Sequence, residues 1–190
     1  MKKCIFTKNI YEEIIEKNTF YVIDKNFSTE CGFSSDATLE EKQAFYASAS
    51  KFSDFMKMVI AECNESVYIG KSFTYNVCHD WSDLTDYDAF NNIKDIISDK
   101  CNYKIQLPED TKVIDYIIEN DFRYFTHINF YFKELDLLIE PDCHIQLLCY
   151  TDNHNAVEFI KSILEKFDGL KIVKGMEFQL FIGESEGGNE

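Results

Sequence analysis

The 190-residue sequence predicts an α+β protein, with four to five amphipathic helices packed on a mainly antiparallel sheet. Helix-like and strand-like segments alternate without the regular strand–helix–strand order of a parallel sheet. Three strand-like runs within about residues 124–150 follow one another through short connections, as in an antiparallel three-strand meander. Hydrophobic residues make up 45% of the chain and aromatic residues 15%, so the chain can build one large core.

The individual elements follow from hydrophobic periodicity and from capping residues. Helices are predicted over 9–17, from a capping box formed by Thr38 and Glu41 to about 62, over 85–100, from Pro108 to 118, and over 153–167. Strands are predicted over 19–27, over 67–77 (or as a hairpin turning at 70–71), over 124–132 and 135–140, from 143 or 144 to 150, and over 176–182.

The register of the three-strand meander follows from its predicted turns. A two-residue turn at 133–134 would pair Phe130 with Leu137, and a three-residue turn over 141–143 would pair Leu137 with Leu147. Both registers put the apolar side chains on one face, so this face is expected to be buried.

The chain is expected to form one domain over residues 1–182. It has only two prolines and neither a glycine- or serine-rich linker nor an internal repeat. Residues 183–190, GESEGGNE, are expected to be a flexible acidic tail.

Two features of the sequence predict an intracellular protein. No apolar run approaches the roughly 18 residues that a membrane span requires, and the opening Met-Lys-Lys-Cys leads into charged residues. The seven cysteines include no CxxC pair, and their odd number fits a closed disulfide framework poorly. We therefore expect a cytoplasmic protein with reduced thiols and no membrane contact.

The net charge of −15 limits the possible partners. Phosphate backbones would be repelled over most of the surface, so direct nucleic-acid binding is not expected. The same field would attract a basic protein and speed its association.

No catalytic or cofactor-binding motif is present, and no cofactor is expected. The chain lacks GxGxxG, GxxxxGK[ST], GxSxG, HExxH and zinc-type Cys/His spacings.

The densest charged segment runs from Asp80 to Asp88 and combines carboxylates with two aromatic residues. Aromatic anchors among carboxylates suit a basic partner, whereas the simpler interpretation is a helix cap with Trp81 packed inward. The candidate partner-binding residues are Asp80, Trp81, Asp83, Asp86, Tyr87 and Asp88.

An alternative catalytic or metal site depends on the predicted registers. They would place His127 opposite Glu140 and Glu140 opposite His144 on the outer face of the sheet. Two imidazoles beside one carboxylate could hold a divalent metal or act as an acid/base pair, although a polar sheet face explains the same row. The dipeptides Cys78-His79 and Cys143-His144 are not expected to act as nucleophile and base, because neighbours on a strand point to opposite faces.

Three functional hypotheses remain. The leading one is an acidic binding protein that neutralises a basic protein, a toxin or a nucleic-acid-binding enzyme, by occluding its active or nucleic-acid-binding site. Immunity proteins and anti-defence inhibitors work in this way, although the likeness is one of size, charge and missing motifs. The second is a small metal-dependent or acid/base enzyme using His127, Glu140 and His144. The third is an assembly or regulatory subunit.

Overall fold

The computed structural model describes residues 6–26, 37–63, 65–71, 103–123 and 127–174. The helices are α1 (Lys8–Ile15), α2 (Leu39–Glu62), α3 (Thr111–Phe122) and α4 (His154–Leu164). The strands are β1 (Thr19–Asp24), β2 (Val67–Lys71), β3 (Tyr103–Lys104), β4 (Ile128–Phe132), β5 (Leu137–Asp142), β6 (Gln146–Tyr150) and β7 (Leu170–Lys174). The predicted α+β class is confirmed. The predicted helix over 85–100, the strand over 176–182 and the tail lie outside the described residues.

The strands form one seven-stranded sheet in the order β3-β2-β4-β5-β6-β1-β7, and every neighbouring pair is antiparallel. Strand β1, the first described strand in the sequence, lies between β6 and β7, which are the last two described strands. The strands at the two edges of the described sheet, β3 and β7, were not predicted from the sequence.

The predicted registers of the strands in 128–150 are wrong, but the predicted buried face is correct. Phe130 pairs with Ile139 instead of Leu137, because four residues rather than two connect β4 to β5. Ile139 in turn pairs with Cys149, because the loop between β5 and β6 covers 143–145 rather than 141–143. The register shifts are even numbers of residues, so the same side chains still face the core.

Helices α2, α3 and α4 share one hydrophobic core with the inner face of the sheet. Phe130 and Phe132 of β4 point into this core, whereas Tyr131 between them points to the other face, as the alternation of a strand requires. On that other face, α1 packs Tyr11 against Tyr131 and Leu138. Among the described elements, three helices therefore cover one face of the sheet and α1 covers part of the other.

The capping box predicted for α2 is confirmed. Glu41 N donates to Thr38 Oγ1 at 3.2 Å, and Thr38 N donates to Glu41 Oε2 at 2.6 Å. The two side chains thus satisfy backbone groups that have no partner inside the helix. Within the described ranges, no helix has the length and apolar character needed to cross a membrane.

Gly169 lies between α4 and β7 and packs against the end of β1 and against α2. Its φ of +88° is a conformation that glycine adopts without strain, and its carbonyl accepts from Lys25 N at 2.7 Å. A Cβ atom at this position would lie 3.0 Å from Lys51 Nζ, which is itself 2.6 Å from the buried Asp24 carboxylate. A side chain at position 169 would therefore be strained by the positive φ and would have to displace the ends of neighbouring side chains.

Candidate functional site

The acidic-aromatic segment Asp80–Asp88 lies outside the described residues. The predicted partner-binding role of its side chains therefore stays a prediction. The dipeptide Cys78-His79 also lies outside them.

The predicted row of His127, Glu140 and His144 is not assembled by strand pairing. Glu140 pairs with Leu148, because the β5–β6 register differs from the predicted one. His127 precedes the first residue of β4, and His144 lies in the loop between β5 and β6. An acid/base or metal enzyme built on these three residues remains a prediction without support from the register.

Asp142, the last residue of β5, is instead the centre of the polar groups at this end of the sheet. Its Oδ1 accepts from His144 N at 2.9 Å and from Gln146 Nε2 at 3.1 Å. His144 Nδ1 lies 2.5 Å from the same oxygen. The β5–β6 loop therefore folds its polar side chains back onto one carboxylate.

The loop also brings the side chains of Cys143 and His144 together. Cys143 Sγ lies 3.8 Å from His144 Nδ1. The expectation that these neighbours point apart is wrong, because they occupy a turn rather than a strand. A nucleophile–base–carboxylate relay would use both imidazole nitrogens, one for each partner. Here Nδ1 faces both the thiol and Asp142, so the arrangement does not favour nucleophilic catalysis.

Ile145 closes this loop in a strained conformation. Its φ of +57° lies in the left-handed region, and its N donates to Asp142 O at 2.9 Å. A three-residue hairpin loop commonly ends in such a residue, but glycine is the usual choice because a β-branched side chain is crowded there. The loop thus holds Cys143 and His144 at an energetic cost of about 1–2 kcal/mol.

Several ionisable groups near Asp142 are buried. Burial raises the pKa of Asp121 well above its ordinary value, and the charges of Glu140 and Asp142 raise it further, although Ile128 N donates to its Oδ2 at 3.0 Å. Burial lowers the pKa of His127, and the charge of Asp142 partly offsets this effect. The neutral forms of Asp121 and His127 are therefore favoured by their surroundings.

Two buried amides in this region are incompletely hydrogen-bonded. Asn129 is 0% exposed, and neither its Oδ1 nor its Nδ2 has a hydrogen-bond partner in the described part of the chain. The Oε1 atom of Gln146, a residue 3% exposed, also has no partner there. A buried polar atom without a partner costs about 1–3 kcal/mol, so each is unusual in a folded protein.

A groove of about 820 Å³ lies at the opposite end of the sheet, next to the β4–β5 loop. It is lined by three glutamates, one lysine, one cysteine and apolar or small residues: Glu62, Cys63, Glu65, Ser66, Lys104, Glu134, Leu135 and Phe159. Burial raises the pKa of the Cys63 thiol to about 11, so this cysteine is a neutral thiol at pH 7. The groove is therefore acidic and contains no activated nucleophile among its described residues.

Glu65 and Glu134 form a carboxyl pair at this groove. Glu65 accepts from Leu135 N at 3.0 Å and also from Glu134 N, which fixes it over the β4–β5 loop. Burial and a hydrogen bond to the Glu134 side chain raise the pKa of Glu65, while the same side-chain bond lowers the pKa of Glu134. Within the described ranges neither carboxylate forms an ion pair, so this negative charge is not neutralised by direct contact with Lys or Arg.

Comparison with known proteins adds no family or relative to these observations. No family model, no curated protein and no solved structure gives a significant match to the chain.

Sequence reasoning did not find the groove. Glu65 and Glu134 are 69 residues apart and meet because β2 pairs with β4. Neither residue belongs to a recognisable motif, so only a correct prediction of that strand pairing could have brought them together.

Proposed function

We propose that the chain is an acidic binding protein that neutralises a basic protein partner by occluding its active or nucleic-acid-binding site. The observation that carries the proposal is the Glu65–Glu134 carboxyl pair, which has no ion pair among the described residues and opens onto a groove. The net charge of −15 supports it, because such a field speeds encounter with a basic protein.

The groove suits a lysine or arginine side chain of such a partner. The cationic head group would lie between Glu65 and Glu134 and favour ionisation of both. The aliphatic stem of the same side chain would pack on Leu135 and Phe159, since long basic side chains cover apolar surface with their methylene groups. The partner would be inhibited if this lysine or arginine is one of the residues with which it binds its substrate or nucleic acid.

Replacing Glu65 and Glu134 with Gln is expected to weaken partner binding by about tenfold, because a desolvated charge pair contributes more than an exposed one. The measurement begins with capture from extracts of the native cell on the immobilised wild-type chain. The purified partner is then titrated against wild type and variant by calorimetry. Glu13→Gln with Glu16→Gln is the matched control, because both glutamates are exposed, one on α1 and one directly after it, and the charge change is the same.

Equal partner affinity for the groove variant and the α1 control would contradict a role for the groove. Because Glu65 also accepts backbone hydrogen bonds, the single variant Glu134→Gln is measured as well. Glu134 is exposed, so its loss should leave the fold intact while removing half of the pair.

A second prediction concerns the segment Asp80–Asp88 and the rate at which the chain associates with its partner. Changing Asp80, Asp83, Asp86 and Asp88 to Asn is expected to slow association with the same partner by about tenfold at low salt. The difference should shrink as salt rises from about 0.05 M to about 0.5 M, because screening removes electrostatic steering. Stopped-flow mixing measures both effects, and an unchanged association rate would contradict this role.

Trp81 and Tyr87 are the expected anchors of that segment. Their replacement with Ala is expected to raise the dissociation rate and to leave the salt dependence of association unchanged. This pair of results separates steering by the carboxylates from affinity provided by the aromatic rings.

A further inference from the structure

The β5–β6 loop gathers a carboxylate, a thiol and an imidazole around one point. Asp142, Cys143 and His144 each offer one ligand atom, and these atoms all lie within 4.8 Å of one another. A tetrahedral zinc ion with N and O ligands at about 2.0 Å and sulfur at about 2.3 Å separates sulfur from nitrogen by about 3.6 Å. The Cys143 Sγ–His144 Nδ1 distance of 3.8 Å fits that geometry.

The imidazole needs to move only slightly to complete the coordination. His144 Nδ1 lies 2.5 Å from Asp142 Oδ1, whereas two ligands of one tetrahedral zinc lie about 3.3 Å apart. The His144 side chain is 41% exposed, so rotation about its side-chain bonds can widen this distance without disturbing the core.

Gln146 can supply a further oxygen ligand if its amide turns over. Its Nε2 donates to Asp142 Oδ1 at 3.1 Å, while its buried Oε1 has no hydrogen-bond partner among the described residues. A half-turn of the amide exchanges the two atoms and would place Oε1 about 3 Å from the Asp142 oxygen. This turned-over orientation gives up the hydrogen bond from Nε2 to Asp142, so it is favourable only when a cation lies between the two oxygens. The cation would then also satisfy Oε1.

The ligand set selects the type of cation. Thiolate and imidazole ligands suit zinc, whereas calcium and magnesium take oxygen ligands. Glu140 adds negative charge at this end of the sheet, because the charges of Glu140 and Asp142 both act on the buried Asp121.

We propose that Asp142, Cys143 and His144 bind one zinc ion, with Gln146 Oε1 as the neighbouring oxygen ligand. On binding, the Cys143 thiol releases its proton to water as the zinc–sulfur bond forms, so affinity rises with pH. This site differs from the predicted set of His127, Glu140 and His144 in every residue except His144. It is independent of partner binding at the groove, which lies at the other end of the sheet.

Titration of the reduced, chelator-treated full chain with Co²⁺ tests the proposal, because cobalt replaces zinc and reports thiolate ligation by a charge-transfer absorption band. The wild type is expected to show the band at one equivalent of Co²⁺ and to lose it on addition of Zn²⁺. Cys143→Ser should abolish the band, and His144→Gln should weaken binding at least about tenfold. Cys63→Ser and His154→Gln, which change a thiol and an imidazole elsewhere, should behave as wild type.

Circular dichroism of each variant verifies that it is folded. His144 is partly exposed, so His144→Gln keeps the test valid if the buried Cys143→Ser variant fails to fold. A folded wild type without the band, a band that survives in Cys143→Ser, or a band equally strong in His144→Gln would overturn the zinc site.

Discussion

Replacing Phe52 with Ala is expected to lower the free energy of unfolding by about 3–5 kcal/mol. Phe52 is 0% exposed, and its ring meets that of Phe122 edge to face, with ring centroids 5.1 Å apart. The substitution would remove the ring contact that joins α2 to α3 and leave a cavity that these helices can fill only partly. A loss of this size is a large part of the roughly 5–15 kcal/mol that stabilises a typical domain.

Urea denaturation followed by circular dichroism measures the Phe52 effect. The urea concentration at the midpoint of unfolding should fall. The slope of the unfolding free energy against urea concentration should stay the same, since the surface exposed on unfolding hardly changes. Leu39→Ala on the same helix is the control, because Leu39 is 73% exposed and its loss should change stability by less than about 0.5 kcal/mol. A Phe52→Ala effect as small as that of the control would mean that α2 and α3 do not pack through this ring.

Replacing Asp121 with Asn is expected to stabilise the protein at neutral pH and to have less effect in acid. The pKa of Asp121 in the folded protein is raised above its ordinary value of 3.8 by burial and by the charges of Glu140 and Asp142. Between the unfolded and the folded pKa, the folded chain therefore holds more protons than the unfolded chain. Wild-type stability falls as pH rises through that interval and stays low above it, whereas Asn does not ionise.

Thermal unfolding from about pH 4 to about pH 8 measures the Asp121 effect. The melting temperature of Asp121→Asn minus that of the wild type should grow with pH and then level off. The Asn side chain keeps an oxygen that can accept from Ile128 N, so the local backbone contact is preserved. Asp168→Asn removes the same charge from an exposed position and serves as control. A difference that does not change with pH would show that Asp121 ionises normally in the folded chain.

Local signals in the sequence predicted the helices of the described chain well. The Thr38–Glu41 capping box marked the start of α2 because its hydrogen bonds join residues three positions apart. Asn153 likewise precedes α4, and its side chain accepts from Asn155 N at 3.0 Å. These interactions are complete within a few residues, so they can be inferred from the order of the amino acids alone.

The strand registers could not be predicted correctly, because they depend on loop conformations that the residues in the loops do not indicate. The β4–β5 loop ends at Asp136 with φ +49°, and the β5–β6 loop ends at Ile145 with φ +57°. Glycine or asparagine at these positions would have indicated loop length, whereas isoleucine is disfavoured there and suggests a strand. The incorrect loop assignment separated Cys143 from His144 in the predicted structure and concealed the cluster around Asp142.

The position of β1 determines when the sheet can be completed. Within the described sheet its backbone pairs with β6 and β7, and Thr19, for example, pairs with Tyr150. During synthesis this strand has no partner strand in the sheet until the segment that carries β6 has left the ribosome, although its Asp24 can already contact Ser48 and Lys51 of α2. Its apolar Phe20 and Val22 meanwhile remain open to incorrect pairing, and contacts this distant in sequence slow folding. We therefore expect the nascent chain to rely on protection by chaperones until β6 and β7 have been made.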